Sequence, residues 1–205
     1  MMSFSSHTHA LTLSPLEDEH LSSVGAIQQS IYPPFFFEDV SLIGARAAAY
    51  PAGHFVARRA GGDALIAYGS SYPWPLHAAL EKPPSLGTLD LSQIRAGDAA
   101  PEEACYFLHE ISVWEQGSGV GSALVNAMLD HAESCGFRVA LLVSVLGNDD
   151  YYAKRWGFEV VRTLPSYAID DPSPSPVTYA LKPTPSHFST DASATLMRLM
   201  LPRSR

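Results

Sequence analysis

Apolar and polar positions along this chain change their period several times, and each change marks a predicted element. Residues 10–14 (Ala-Leu-Thr-Leu-Ser) alternate with the period of two expected of a short strand. Over 15–31 the period lengthens, so that Leu21, Val24, Ile27 and Gln28 share one helical face, until Tyr32-Pro33-Pro34 breaks the pattern. The triplet Phe35-Phe36-Phe37 cannot turn all three rings to one core, and a second helix is predicted after it, over 38–50, closed by Pro51. Alternation returns at 54–59 and 64–71, joined by the hairpin turn Ala60-Gly61-Gly62-Asp63. Further strands are predicted over 104–113, 138–145, 158–164 and 177–182, with a helix over 119–134 and a short one over 149–156. That order predicts a mixed α/β (α+β) fold, a mixed central sheet flanked by helices.

Two stretches interrupt the regular pattern. Residues 72–103 are rich in Pro and Ala and exceed the usual connection length, while Trp74, Leu76, Leu86 and Leu89 give them apolar weight. They read as a substrate-side cover or as a solvated insertion anchored by one Trp. The domain is expected over 10–182, with 183–205 as a tail. Its patch Leu196-Met197-Arg198-Leu199-Met200-Leu201 suits docking on its own domain or on a second copy as a homodimer, and disorder is the other reading.

Composition narrows the function classes. With 205 residues and a hydrophobic fraction of 46%, the chain suits one globular domain rather than a disordered segment. Apolar runs are too short to span a bilayer, and the N-terminal Met-Met-Ser-Phe-Ser-Ser lacks the basic-then-apolar order of a secretory leader. A cytoplasmic protein is expected, with Cys105 and Cys135 as free thiols. A net charge of −8 without a basic cluster speaks against nucleic acid, whose binding needs cations that displace counterions from phosphates. The same charge suits an amine substrate, and equally plain solubility.

The chemistry is concentrated at 105–121. An apolar β-like run ends at Val113, Gly117, Gly119 and Gly121 follow at alternate positions, and a helical pattern starts with Ser122-Ala123-Leu124-Val125. A strand, a glycine turn and a helix N-terminus together suit a phosphorylated ligand. The first amides of a helix have no partner inside it, and the macrodipole adds partial positive charge. A P-loop needs Lys-Ser or Lys-Thr after the last glycine, where this chain has Ser122-Ala123. A dinucleotide fold needs Gly-x-Gly-x-x-Gly and an acidic residue ending the next strand, where this chain has Ser144-Val145-Leu146-Gly147. What remains is Gln-x-x-Gly-x-Gly over 116–121, which resembles the coenzyme A pyrophosphate loop of the GNAT superfamily of N-acetyltransferases.

A second block, Gly147-Asn148-Asp149-Asp150-Tyr151-Tyr152 through Trp156-Gly157-Phe158, resembles that family's other signature: an Asn, a short helix with a Tyr, then Gly-Phe opening a strand. The resemblance is carried by 104–164 and, through element order, extends over 10–182. It implies the GNAT acyl-CoA N-acyltransferase fold, acetyl-CoA as co-substrate, no metal, and direct acetyl transfer to a primary amine. A small-molecule amine is the first reading; a peptide acceptor and a non-catalytic acyl-CoA-binding domain are the alternatives. The implied coenzyme contacts are the amides of Gln116, Gly117, Ser118, Gly119, Val120 and Gly121 for the pyrophosphate. Backbone groups of Ile111, Ser112 and Val113 are implied for the pantetheine arm, with Asn148 and Tyr152 beside it.

The resemblance also suggests catalytic residues. His109 is the first candidate base, since its intrinsic pKa is near neutral and arylalkylamine N-acetyltransferases carry a similar His-x-x-x-Val stretch. Glu110 is the rival, expected on the opposite strand face unless a bulge intervenes. Tyr152 is the candidate acid. It stands five residues before Gly157 where the family has four, which keeps Tyr151 as the alternative. The other histidines, His7, His9, His20, His54, His77, His131 and His187, show no metal-ligand spacing, and no Gly-x-Ser-x-Gly elbow occurs.

Overall fold

The computed structural model describes residues 10–32, 34–84, 90–145, 147–164 and 194–203. Strand β1 (Leu11–Pro15) leads into a 3-10 turn at Asp18–His20, where the Glu17 N–H donates to His20 Nδ1 at 3.0 Å. Helix α1 therefore starts only at Leu21 and runs to Ile31. Helix α2 (Val40–Ala49) begins where the Asp39 carboxylate accepts from the Ser41 N–H, a cap that satisfies one of the free amides of the first turn. Strands β2 (His54–Arg59) and β3 (Leu65–Pro75) form the expected hairpin, and β4 (Ala104–Val113), α5 (Val120–Ser134), β5 (Val139–Ser144), α6 (Asp149–Trp156) and β6 (Glu159–Leu164) follow as predicted.

The stretch at 72–103 differs from its expected form. Tyr72 to Pro75 prolong β3 and pair with Phe107 to Ala104 of β4. Two helices then follow, α3 (Leu76–Glu81) and α4 (Leu91–Ala99), the second capped by Asp90. Ile94 of α4 and Trp74 of β3 share one buried cluster, with Leu76 packed against it, so these apolar residues of the insertion serve the core; Leu86 and Leu89 lie outside the described residues. Its described parts extend the sheet and pack on it.

The last strand is β7, Ala194–Met200, within the segment expected as a tail. Residues 177–182, where the sequence pattern put that strand, lie outside the described residues. The seven-stranded sheet has the order β1-β2-β3-β4-β5-β7-β6. The four strands from β1 to β4 are antiparallel, β4 and β5 are parallel, and β7 pairs antiparallel with both β5 and β6.

Alternation along the central strands assigns their faces. Val56 and Tyr68 are buried with Val24 of α1 and Ile43 of α2, whereas Ala57 and Ala67 are buried with Val120 and Leu124 of α5. Helices thus cover both faces of the sheet, and each buried aliphatic side chain contributes about 1.5–3 kcal/mol by leaving water.

Candidate active site

Two irregularities in β4 create the site. Its pairing with β3 shifts between Ser70, opposite Glu110, and Ser71, opposite Leu108, so His109 is an extra residue with no partner. Such a bulge lets consecutive side chains turn the same way. His109 and Glu110 accordingly both bond to groups from α1 and the connection after it. The second irregularity is a splay. Parallel pairing of β4 with β5 ends at Leu108 opposite Leu142, while β4 continues to Val113.

The splay leaves one edge of β4 open. Beyond the strand, the Trp114 N–H donates to the Ile66 carbonyl, so the antiparallel alternation directs the N–H and C=O of Val113 and Ile111 away from β3, toward the open edge. Ser112, expected as a third backbone contact, turns its own toward β3. The Ile111 carbonyl already accepts from the Tyr32 hydroxyl at 3.1 Å.

After Val113 the chain forms the glycine turn. Gly117 and Gly119 have φ of +76° and +80°, a region that side chains with a Cβ rarely occupy, and an added Cβ on either would meet no atom within 4 Å. Gln116 to Gly119 are exposed. The turn is anchored at its start by Glu115, which pairs with Arg59 of β2. It opens directly onto the first amides of α5, including those of Val120 and Gly121, which no intrahelical carbonyl can satisfy.

The cavity at the splay is about 90 Å³. Leu108 to Ile111 line one wall, Leu142, Val143 and Val145 the other, and Tyr32, Phe36, Asn148 and Tyr152 complete it. Glu110 is 7% exposed and is the carboxylate in this lining. Burial, with the negative charge of Glu38 adding to it, pushes its pKa up to about 7. Ser112 Oγ and Gln28 Nε2 donate to it and act in the opposite sense.

His109 is placed differently from its neighbour. Its side chain is wholly enclosed, so it meets the cavity only through its backbone. Nδ1 lies 2.9 Å from the Tyr72 hydroxyl and Nε2 lies 3.0 Å from Glu38 Oε2. A neutral ring satisfies both contacts by accepting from Tyr72 and donating to Glu38. Burial lowers the His109 pKa, which favours that neutral form. Glu38, also enclosed, receives two hydrogen bonds of 2.7 Å from the Arg46 guanidinium. Burial alone would raise the Glu38 carboxyl, but its contacts with His109 and Arg46 hold it well below the usual range.

Of the two candidate acids, Tyr152 faces the cavity and packs on Trp156 and Phe158, and burial raises its pKa. Tyr151 is 47% exposed and its hydroxyl lies 3.0 Å from Ser122 Oγ, toward the start of α5. Asn148 lines the cavity, but its side chain donates to the Val145 carbonyl at 3.0 Å and does not cap α6.

The sequence pattern missed Tyr32, Glu38, Arg46 and Tyr72, and it treated Gln28 only as a face residue of a helix. The buried Glu38–Arg46 pair was the one available signal, eight residues apart in a segment otherwise apolar or small. Among the described residues one set of three ligand-type side chains converges, Glu17, Glu19 and His20. The Arg58 guanidinium lies against His20 Nε2, which disfavours a cation there. Among the described residues, no helix is long and apolar enough to cross a membrane.

Known proteins share this architecture. A family model described as "Acetyltransferase (GNAT) family" matches residues 21–158. No curated protein matches the chain in sequence. Three solved structures with the same fold illustrate the range. Mosquito arylalkylamine N-acetyltransferase like 5b is 16% identical, with a TM-score of 0.61, covering 94% of this chain and 100% of its own. The ribosomal-protein-S18-alanine N-acetyltransferase of Escherichia coli is 17% identical, with a TM-score of 0.57 and coverage of 96% and 97%. Arabidopsis thaliana Naa50, in complex with the bisubstrate analogue CoA-Ac-MVNAL, is 14% identical, with a TM-score of 0.58 and coverage of 93% and 99%.

Proposed function

This chain belongs to the acetyltransferase (GNAT) family, and from that premise we propose that it transfers an acetyl group from acetyl-CoA directly to a primary amine, with Glu110 as the base. The observation that carries this reading is the Glu110 carboxylate in the wall of the β4–β5 splay, its pKa raised to about 7, beside an open strand edge that leads to the glycine turn. The fit to acetyl-CoA rests on two features of this chain. The turn at 116–121 leads into the first amides of α5, with free space over Gly117 and Gly119. The open edge offers backbone groups of Ile111 and Val113 to an extended pantetheine arm, as a partner strand would use them.

In this reading Glu110 accepts the proton that the acceptor ammonium must lose before its nitrogen can attack. A carboxylate held near neutrality is ionised often enough at pH 7 and still basic enough to take that proton. Outward N–H groups at the open edge polarise the thioester carbonyl as charge develops on its oxygen. The Tyr152 hydroxyl returns a proton to the leaving sulfur. His109, with both ring nitrogens engaged, acts as a strut between Tyr72 and Glu38 rather than as the base.

The acceptor we favour is a small amine, as the net charge of −8 suits a cation and the cavity is small. A peptide α-amine is the second reading, supported by the peptide-derived ligand of the Arabidopsis relative. A panel of free amines and N-terminal peptides, with acetyl-CoA and thiol release as readout, separates the two. In that assay Glu110→Gln should lower turnover by about 10²–10⁴-fold without weakening acetyl-CoA binding. Undiminished turnover in Glu110→Gln, with loss in His109→Gln, would return the base to His109.

A further inference from the structure

Gln28 lies on α1, 1% exposed, and its carboxamide faces two ways. Nε2 donates to both oxygens of Glu110, at 2.9 and 2.8 Å, and Oε1 accepts from the Glu38 backbone N–H at 3.3 Å. One neutral side chain therefore joins the carboxylate on β4 to the connection between α1 and α2. That same connection carries Tyr32 and Phe36 into the cavity and delivers the Glu38 side chain to Arg46 and His109.

We propose that Gln28 is a positioning residue for the reaction: it fixes the Glu110 carboxylate and couples its orientation and ionisation to the seating of the α1–α2 connection. The proposal rests on the reading of Glu110 as the base. Ser112 Oγ and Gln28 Nε2 share Oε1, while Gln28 Nε2 also donates to Oε2, so Gln28 contacts both oxygens of the carboxylate. An N–H donor favours the charged carboxylate, whereas a hydrocarbon at position 28 would not.

Titratable and polar groups face Glu110 from each element packed around it. Tyr32 comes from the end of α1, Glu38 from the connection, Arg46 from α2, Tyr68 and Ser70 from β3, and Ser112 and His109 from β4 itself. Of these, Glu38 and Arg46 are joined as a pair, burial lowers the His109 pKa, and the tyrosines stay protonated through the neutral range. A change at Gln28 that alters none of them acts on Glu110 directly.

The test is an NMR titration of the full chain with glutamate carboxyl carbons labelled, the Glu110 signal being identified by its loss in Glu110→Gln. In Gln28→Met, similar in size but unable to donate, the Glu110 midpoint should rise by about one pH unit, since a hydrogen bond to a charged group is worth roughly that much. The acidic limb of kcat/KM, measured with the best amine from the panel, should move with it while turnover recovers at high pH. Should Gln28→Met not fold, Gln28→Leu, which likewise cannot donate, should move the midpoint upward in the same way. An unmoved midpoint, or a uniform loss of rate at all pH values, overturns the role of Gln28. A midpoint that moves while the rate profile does not leaves Gln28 holding Glu110 and removes Glu110 as the base.

Discussion

Val113 separates two regions to which the proposed reaction assigns opposite means. Before it, Glu110 and His109 sit in a closed polar network whose members come from α1, α2, β3 and β4. After it, the turn through Gly119 is exposed and offers backbone amides rather than side chains. The network is costly to disturb because each buried charge depends on a named partner. The turn is cheap to disturb in stability and expensive in ligand, because free space and backbone conformation are its whole contribution. In the proposed reading, proton handling is thus protected from water and tied to the fold, while ligand capture is left open to solvent.

This contrast can be broken from either side. The largest effect is expected at Arg46→Met, which strands the Glu38 charge and should cost about 3–5 kcal/mol in denaturant unfolding. A loss below about 1 kcal/mol would mean the network is looser than its 2.7 Å contacts imply. Next is Gly119→Trp on the other side of Val113. It should lower acetyl-CoA affinity by about hundredfold in calorimetric titration, while unfolding shifts only by the roughly 1–2 kcal/mol that positive φ costs a side chain.

A third test reads the pH dependence of Glu110. Its folded pKa of about 7 lies above the ordinary 4.5, so the folded chain holds more protons than the unfolded one between those values. Stability contributed by this group is present at low pH and lost as pH rises through that window. Glu110→Gln should therefore gain on the order of 2 kcal/mol relative to wild type between pH 5 and pH 8. An equal difference at both pH values would show that Glu110 titrates normally. The smallest effects concern the aromatic pair: Tyr152→Phe should slow turnover about tenfold. Tyr151→Phe, which loses one exposed contact with Ser122, should change it by no more than about threefold. Reversal of that order would make Tyr151 the acid.

The two regions also differ in how much of them could be read from sequence. The glycine turn was legible because its spacing is local in the sequence, and Gly117 and Gly119 adopt the positive φ open to glycine. The network was not, because a bulge of one residue decides which way Glu110 points and its partner Gln28 lies 82 residues away. His109 drew attention by its chemistry alone, and its seat between Tyr72 and Glu38 depends on residues whose helical or strand pattern says nothing of their partners. Helix and strand positions up to 164 followed periodicity except at 72–103, where β3 runs on and two helices follow, and at the start of α1. Strand β7 was not foreseen, because its apolar run at 196–201 reads as well as a docking patch, and only pairing with β5 and β6 shows it to be a strand; the strand expected over 177–182 lies outside the described residues.

The position of β7 has a consequence for synthesis. Among the described residues β6 joins the sheet through β7, which follows it by a long interval of chain. On the ribosome, β1 to β5 emerge first, and the β6 neighbour seen among the described residues comes only with residues 194–200. Until then β5 lacks its β7 partner, next to the wall of the cavity that Leu142 and Val143 provide. A nascent chain thus acquires its glycine turn and its buried network before one wall of the reaction site is braced, and translation must reach the end of β7 to supply that support.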